Sequence, residues 1–311
     1  MARVPDITLA EARAIVDRAL EKARSLHQAA AFVLVDAGGN VVTVSRIGEG
    51  PPSSVWVSRA KAYVSAVQRA PSARNATNWR ENPAVFSAFQ RLMRDEIFPG
   101  PGAMPIRKGD RVVGALSTGG GLGPWTEIPG VDPSELMVDG TPANAEDMII
   151  AHALQIPYSN QHPDVQRLIG PRVTERIDDL PHCLAGARRY ADRAIEFAKA
   201  KGLRAGIVVV DELGQTVQMD RMDGAPPQSI DMAEAKALTA LNFQRPTSAV
   251  DRAFSPDRVA QIREIVHYPV LAAGGGLPIT RDGDLVGAIG VSGAGADEVN
   301  EEIARGAIQE A

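Results

Sequence analysis

The chain contains a second copy of itself, and this duplication limits its possible folds more than any other feature. Shifting the sequence by 175 positions lays residues 31–71, AFVLVDAGGNVVTVSRIGEGPPSSVWVSRAKAYVSAVQRAP, on residues 206–246, GIVVVDELGQTVQMDRMDGAPPQSIDMAEAKALTALNFQRP, without a gap. Identical pairs include Asp36/Asp211, Gly39/Gly214, Arg46/Arg221, Ser54/Ser229, Lys61/Lys236 and Pro71/Pro246. With the shift reduced to 173, residues 98–120 match residues 271–293, pairing Gly102 with Gly275, Pro105-Ile106 with Pro278-Ile279, and Val113-Gly114-Ala115 with Val286-Gly287-Ala288. Two blocks in the same order imply two homologous domains, 1–160 and 172–311, joined by PYSNQHPDVQRLIGP. A length of 311 residues is enough for two domains of ordinary size, each with its own core.

Each half has the same periodicities. Thr8 and Glu11 form a capping box ahead of an apolar stripe, Leu9, Ala12, Ile15, Val16, Ala19, Leu20 and Ala23. Leu184, Ala187, Tyr190, Ala191, Ala194, Ile195 and Ala198 repeat that stripe. A Val-rich strand then ends at Asp36 or Asp211, a Gly-containing hairpin turn follows, and a second strand ends at Arg46 or Arg221. After the Pro-Pro loop comes a helix bearing Lys61 or Lys236, a second and more variable helical segment, three short strands, and a closing helix at 143–154 or 297–308. The order α-β-β-α-α-β-β-β-α, with hairpins instead of βαβ crossovers, predicts an α+β fold: two tandem domains, each an antiparallel sheet covered by helices.

Composition narrows the function classes. With 33 Lys+Arg against 38 Asp+Glu, a net charge of −5 and no basic block, no nucleic-acid footprint is expected. No apolar run approaches the roughly 18 residues of a membrane span, so no membrane partner is expected either. Asp6, Glu11, Arg13 and Asp17 interrupt what would be the apolar core of a signal peptide, which suggests a cytoplasmic location. The single cysteine, Cys183, excludes an intrachain disulfide and a thiolate-rich zinc site, and His27, His152, His162, His182 and His267 show no ligand spacing. No metal centre is expected.

The duplicated segment 221–236 holds the chemistry of greatest interest. Ser229 reads as a helix N-cap, and Lys236 lies seven residues on, hence on the same helix face. Arg221, the amides of the helix start and Lys236 could converge on a small anion, and Arg46, Ser54 and Lys61 repeat the arrangement. Alternatively, the two cations of each copy pair with Asp36/Asp211 or with the last helix and simply hold the fold. The glycines Gly119, Gly120 and Gly121, and Gly274, Gly275 and Gly276, lack a phosphate-loop or dinucleotide pattern. They read as steric necessities first and as a cradle for a flat ligand second. Asp231 and Glu234 read as a solvated helix surface, Cys183 as a residue near a helix start, and His267 as a structural histidine before a general base or an axial iron ligand.

At these residues the chain resembles the GlcG/HbpS-like family, which includes the haem-binding domain at the C-terminus of PduO-type corrinoid adenosyltransferases. The second half carries the full pattern, VVVDELGQTVQMDRMDGAPPQSIDMAEAKALTA and GGGLPITRDGDLVGAIGVSGA. The first half departs from it, with RIGEG for RMDGA, Trp56 for Asp231 and LSTGGG for IGVSG. The resemblance implies a profilin-like domain, homo-oligomers (here a homodimer or homotetramer) and, in some relatives, haem or another tetrapyrrole.

Two functions follow as expectations. One is binding of a small, anionic, planar ligand, haem or a carboxylated aromatic. Arg221, Ser229, Gly275, Gly276 and Ser292 would hold it in the second copy, and Arg46, Ser54, Gly119 and Gly120 in the first. The other is a cofactor-independent lyase, isomerase or hydrolase acting on a small carboxylate, with Lys236 or Lys61 as base or amine. An oligomeric scaffold is a third role. The first copy also carries an insertion, 121–143, with Trp125, Glu127 and Asp132, which reads as a lid or a packing loop.

Overall fold

The computed structural model describes residues 6–47, 53–93, 97–98, 100–120, 137–138, 141–160 and 178–309. The chain divides into two compact units, one of Asp6–Glu175 and one chiefly of Arg176–Ala311. Residues 161–171 of the linker expected at 157–171, and most of the insertion, with Trp125, Glu127 and Asp132, lie outside the described residues.

In the first unit, α1 (Leu9–Ser25) starts at the expected capping box: Thr8 Oγ1 accepts from the Glu11 amide, and the Thr8 amide donates to the Glu11 carboxylate. Its buried stripe, Leu9, Ala12, Val16, Ala19, Leu20 and Ala23, is half alanine, which allows close packing on α5 (Ala145–Leu154). The four strands β1 (Ala30–Asp36), β2 (Val41–Ile47), β3 (Ala103–Lys108) and β4 (Arg111–Gly120) pair antiparallel in the order β3-β4-β1-β2. Residues 30–35 of β1 are all buried, as a sheet covered on both faces requires. The helix α2 (Ser54–Gln68) packs along β1, β4 and β3, while α1 and α5 pack on each other and against the strands.

The β1–β2 turn shows why its residues recur in both copies. Asp36 Oδ1 accepts from the amides of Gly38 and Asn40, and Asp211 Oδ1 from those of Leu213 and Gln215. Gly39 and Gly214 take φ +81° and +76°, a region that favours glycine. Asp36 and Asp211 are therefore turn-forming residues.

The remaining helices of the first unit, α3 (Ala73–Glu81) and α4 (Pro83–Gln90), replace the single variable helical segment expected after α2. Pro83 forces Asn82 out of helical geometry, to φ −140° and ψ 65°, and then starts the next helix. In the insertion, β5 (Met137–Val138) pairs with β6 (Thr141–Pro142).

The second unit repeats this plan. It contains α6 (Leu184–Ala200), β7 (Gly206–Asp211), β8 (Thr216–Arg221), α7 (Ser229–Phe243), α8 (Val250–Ala253), α9 (Pro256–Ile265), β9 (Gly276–Arg281), β10 (Asp284–Ser292) and α10 (Asp297–Ile308). Its sheet order is β9-β10-β7-β8, again antiparallel throughout, and α6 packs on α10. Irregularities recur at matching positions: a register shift at Leu34/Val35 and at Val209/Val210, and a left-handed helix cap at Arg69 and at Gln244. The α+β architecture is as expected, with one difference. Apart from the short β5–β6 pair in the insertion, each unit has two strands after its helical segment among the described residues, not three, because no strand precedes the Gly/Pro break ahead of β3 or β9.

Candidate functional site

The strand registers bring several of the expected residues into one row. Arg46 pairs with Ala31, which pairs with Gly119; Arg221 pairs with Gly206, which pairs with Ser292. Directly opposed residues project to the same face, and here it is the face under α2 or α7. A methyl group at Gly119 would lie 2.5 Å from Ser58 Oγ and 3.6 Å from Lys61 Nζ, and one at Gly206 would lie 2.6 Å from Ser229 Oγ. Arg46, Ser54, Lys61 and Gly119 thus belong to one region of the first unit, and Arg221, Ser229 and Ser292 to its equivalent in the second.

This region is packed from within. Ser54 and Ser229 are the first residues of α2 and α7, not the caps; Ser53 and Gln228 hold the cap positions. Both serine hydroxyls are buried without a hydrogen-bond partner. Lys61 Nζ donates to Thr118 O at 2.7 Å and to Glu146 Oε2 at 3.2 Å, with side-chain exposures of 4% for the lysine and 9% for the glutamate. Lys236 Nζ donates to Gly274 O at 2.7 Å and lies 3.4 Å from Asp297 Oδ1; its side chain is 1% exposed, that of Asp297 53%. Glu146 and Asp297 stand in the first turns of α5 and α10. Of the two alternatives open for the lysines, pairing with the last helix is the one seen in both copies.

The glycines serve close approach. A methyl group at Gly120 would meet Ala29 O at 2.2 Å, at Gly275 Val291 O at 2.4 Å, and at Gly276 Lys236 O at 2.3 Å. Asp231 is exposed on α7, Glu234 accepts from the Thr216 hydroxyl at 2.9 Å, and His267 is exposed.

Burial holds the Lys236 ammonium below the ordinary lysine range, and Asp297 opposes that shift. The unfolded chain therefore keeps this proton where the folded chain has begun to release it. Stability is expected to rise as pH climbs through that window toward the ordinary lysine pKa. Lys236→Met should flatten the rise, read from urea-unfolding midpoints across alkaline pH.

A cleft of about 450 Å³ opens elsewhere, in the first unit, where α3 and α4 meet the end of α2. Val85, Phe86 and Phe89 give it an apolar wall, and Gln68, Arg74, Asn78 and Asn82 supply polar groups. Phe86 is held in a small core with Tyr63, Val64 and Ile97. The Gln68 amide donates to Asn75 Oδ1, which fixes it at the end of α2. Arg74 is exposed. No lining residue of this cleft belongs to the Arg/Ser/Lys/Gly set. The sequence did offer one signal, because Arg74, Asn78 and Asn82 recur every fourth residue, the spacing of one helix face.

The second unit also brings together Asp178, His182 and Cys183, whose ligating atoms lie within 4.8 Å of one another. Sequence reasoning saw no ligand spacing at His182, read Cys183 only as a residue near a helix start, and did not single out Asp178.

No helix among the described residues is long and apolar enough to cross a membrane. Comparison with known proteins matches the family model "Haem degrading protein HbpS-like" at residues 7–125 and again at 183–309. An uncharacterised 15.0 kDa protein of Citrobacter freundii is 35% identical over 118 residues, 37% of this chain and 82% of that protein. The GlcG protein of Escherichia coli K12 is 32% identical over 98 residues, 31% of this chain and 70% of its own. A crystal structure of a double mutant of Streptomyces reticuli HbpS aligns at 35% identity over 45% of this chain and 90% of that one, with a TM-score of 0.37. The chain belongs to the HbpS-like family and carries its domain twice in tandem.

Proposed function

We propose that the chain binds a flat, carboxylated ligand of the haem or tetrapyrrole class in the α3–α4 cleft of its first unit. One observation carries the reading: an apolar wall containing two phenylalanines faces an exposed arginine and three side-chain amides around about 450 Å³. Such a volume suits a small-molecule site, and the mix of apolar wall and few polar groups is what such sites use. The half-buried Phe89 ring, backed by Phe86 from the core, offers stacking surface to a conjugated plane. Arg74 offers a bidentate partner to a carboxylate, and Gln68, Asn78 and Asn82 can bond its remaining oxygens. The family description, which names haem, supports the same ligand class.

The fit to haem is to its plane and its propionates. None of the seven lining residues is a histidine, cysteine, methionine or tyrosine, the side chains that ligate haem iron. The iron is accordingly not the determinant of binding. The purified chain is expected to bind haemin and iron-free protoporphyrin with comparable affinity at one site, followed by the Soret band and by porphyrin fluorescence. Binding of haemin alone, with the spectrum of protein-ligated iron, would overturn the reading.

A further inference from the structure

We propose that Asp178, His182 and Cys183 form a binding site for a zinc-class divalent metal, with three protein ligands and a fourth position left open. The three donors are a carboxylate oxygen, an imidazole nitrogen and a sulfur, all within 4.8 Å of one another. His182 Nε2 already lies 2.9 Å from Asp178 Oδ2. Tetrahedral zinc with bonds of about 2.0–2.3 Å sets its ligand atoms about 3.5 Å apart, so a modest rotation of side chains closes the set. A mixed N, O, S donor set containing one thiolate selects zinc-class ions over magnesium or calcium.

Two further features fit ligation. Cys183 is the N-cap residue of α6, a helix of 17 residues, and its side chain makes no capping bond but a hydrogen bond with Asp178, so the sulfur is turned toward the other two donors. A thiolate at such a position is stabilised by the helix. Glu212, on the β7–β8 turn, places Oε2 3.9 Å from His182 Nδ1, the ring nitrogen opposite the one facing Asp178. That is beyond hydrogen-bond length, and a side-chain rotation that closes the gap would give the histidine the supporting carboxylate that fixes a ligand's tautomer and orientation.

The duplication supplies an internal control. The positions in the first copy that correspond to Asp178, His182, Cys183 and Glu212 are Arg3, Ile7, Thr8 and Ala37, and none of these can complete such a site. The first unit has the same strand order and the same helix start without these donors, so the fold does not require them. Their convergence in the second copy alone is what a ligand site acquired after duplication would leave.

The test is titration of the full, reduced chain with Co²⁺, watching for the thiolate-to-cobalt charge-transfer band in the near ultraviolet. The expected result is one Co²⁺ per chain, displaced by Zn²⁺, with affinity rising with pH as the thiol gives up its proton. Cys183→Ser should abolish the band. Glu212→Gln should keep the band and weaken affinity by about 10-fold or more, the usual effect of losing a supporting carboxylate. Circular dichroism of each variant separates lost ligation from lost fold. Absence of the band in the folded wild-type chain, or Co²⁺ binding unchanged in Cys183→Ser and His182→Ala, would overturn the proposal.

Discussion

Glu146→Ala is expected to cost about 3–5 kcal/mol of stability, the penalty for removing one partner of a buried ion pair. The Lys61 side chain is only 4% exposed, and its ammonium is held by Thr118 O and Glu146. Removing the carboxylate leaves a buried charge with a carbonyl dipole as its remaining partner at that end. The equivalent change in the second copy should behave differently. Asp297 is 53% exposed and lies 3.4 Å from the ammonium, so solvent already screens that pair from the carboxylate side, and Asp297→Ala should cost at most about 1 kcal/mol. Urea unfolding of the two variants checks the contrast. Equal losses would mean that the greater exposure of Asp297 than of Glu146 makes no difference to the strength of the pair.

Gly290→Ser should be the most disruptive small substitution in the second unit, at about 3 kcal/mol, the upper end of the usual overpacking range. A methyl group at Gly290 would sit 1.9 Å from Ala233 O and 2.8 Å from the Ala237 amide, both backbone atoms of α7. The helix backbone lies directly on β10 there, and no side-chain rotation relieves the clash. The corresponding residue of the first copy is Ser117, which is buried and whose hydroxyl has no partner. Ser117→Ala should therefore be close to neutral, since it removes an unsatisfied polar atom without opening a large void. Thermal unfolding of Gly290→Ser and Ser117→Ala measures both. A neutral Gly290→Ser would show that α7 can lift off the strand freely.

These two contrasts show where the copies have diverged under a shared plan, and also what the sequence could and could not convey. Stripes such as Leu9, Ala12, Val16, Ala19 and Leu184, Ala187, Ala191, Ala194 announce helices because their period matches one buried face. Asp36 with Gly39, and Asp211 with Gly214, announce hairpins because the side chain and the left-handed glycine build the turn locally. Local signals of this kind carried the fold class and the repeat. The break at Asn82-Pro83 was also local, yet the stretch after α2 read as one variable helical segment. The third strand failed because the Gly/Pro break ahead of β3 and β9 reads as a boundary between two strands, and no strand precedes it; the glycines inside β4 and β10 end no strand. They are in fact places of close backbone approach, as Gly114 shows, where a methyl group would lie 2.2 Å from Val35 O.

The site was less legible for a different reason. Identity between the copies marked Arg46/Arg221 and Lys61/Lys236, and identity cannot tell a ligand contact from a shared structural need. For the lysines the geometry shows pairing with Glu146 and Asp297. The α3–α4 cleft draws residues from the ends of three helices in the more divergent part of the repeat, so comparing the copies pointed away from it. Asp178, His182 and Cys183 meet through a loop fold that no periodicity encodes.

Porphyrin titration of Arg74→Ala beside Arg221→Ala tests the central claim most directly. If the α3–α4 cleft is the binding site, Arg74→Ala weakens protoporphyrin binding by about 10-fold or more, the worth of one charge-assisted hydrogen bond to a carboxylate. Arg221→Ala then binds as the wild type does. Loss of binding in Arg221→Ala with Arg74→Ala unchanged would contradict the account and place the ligand under α7 instead.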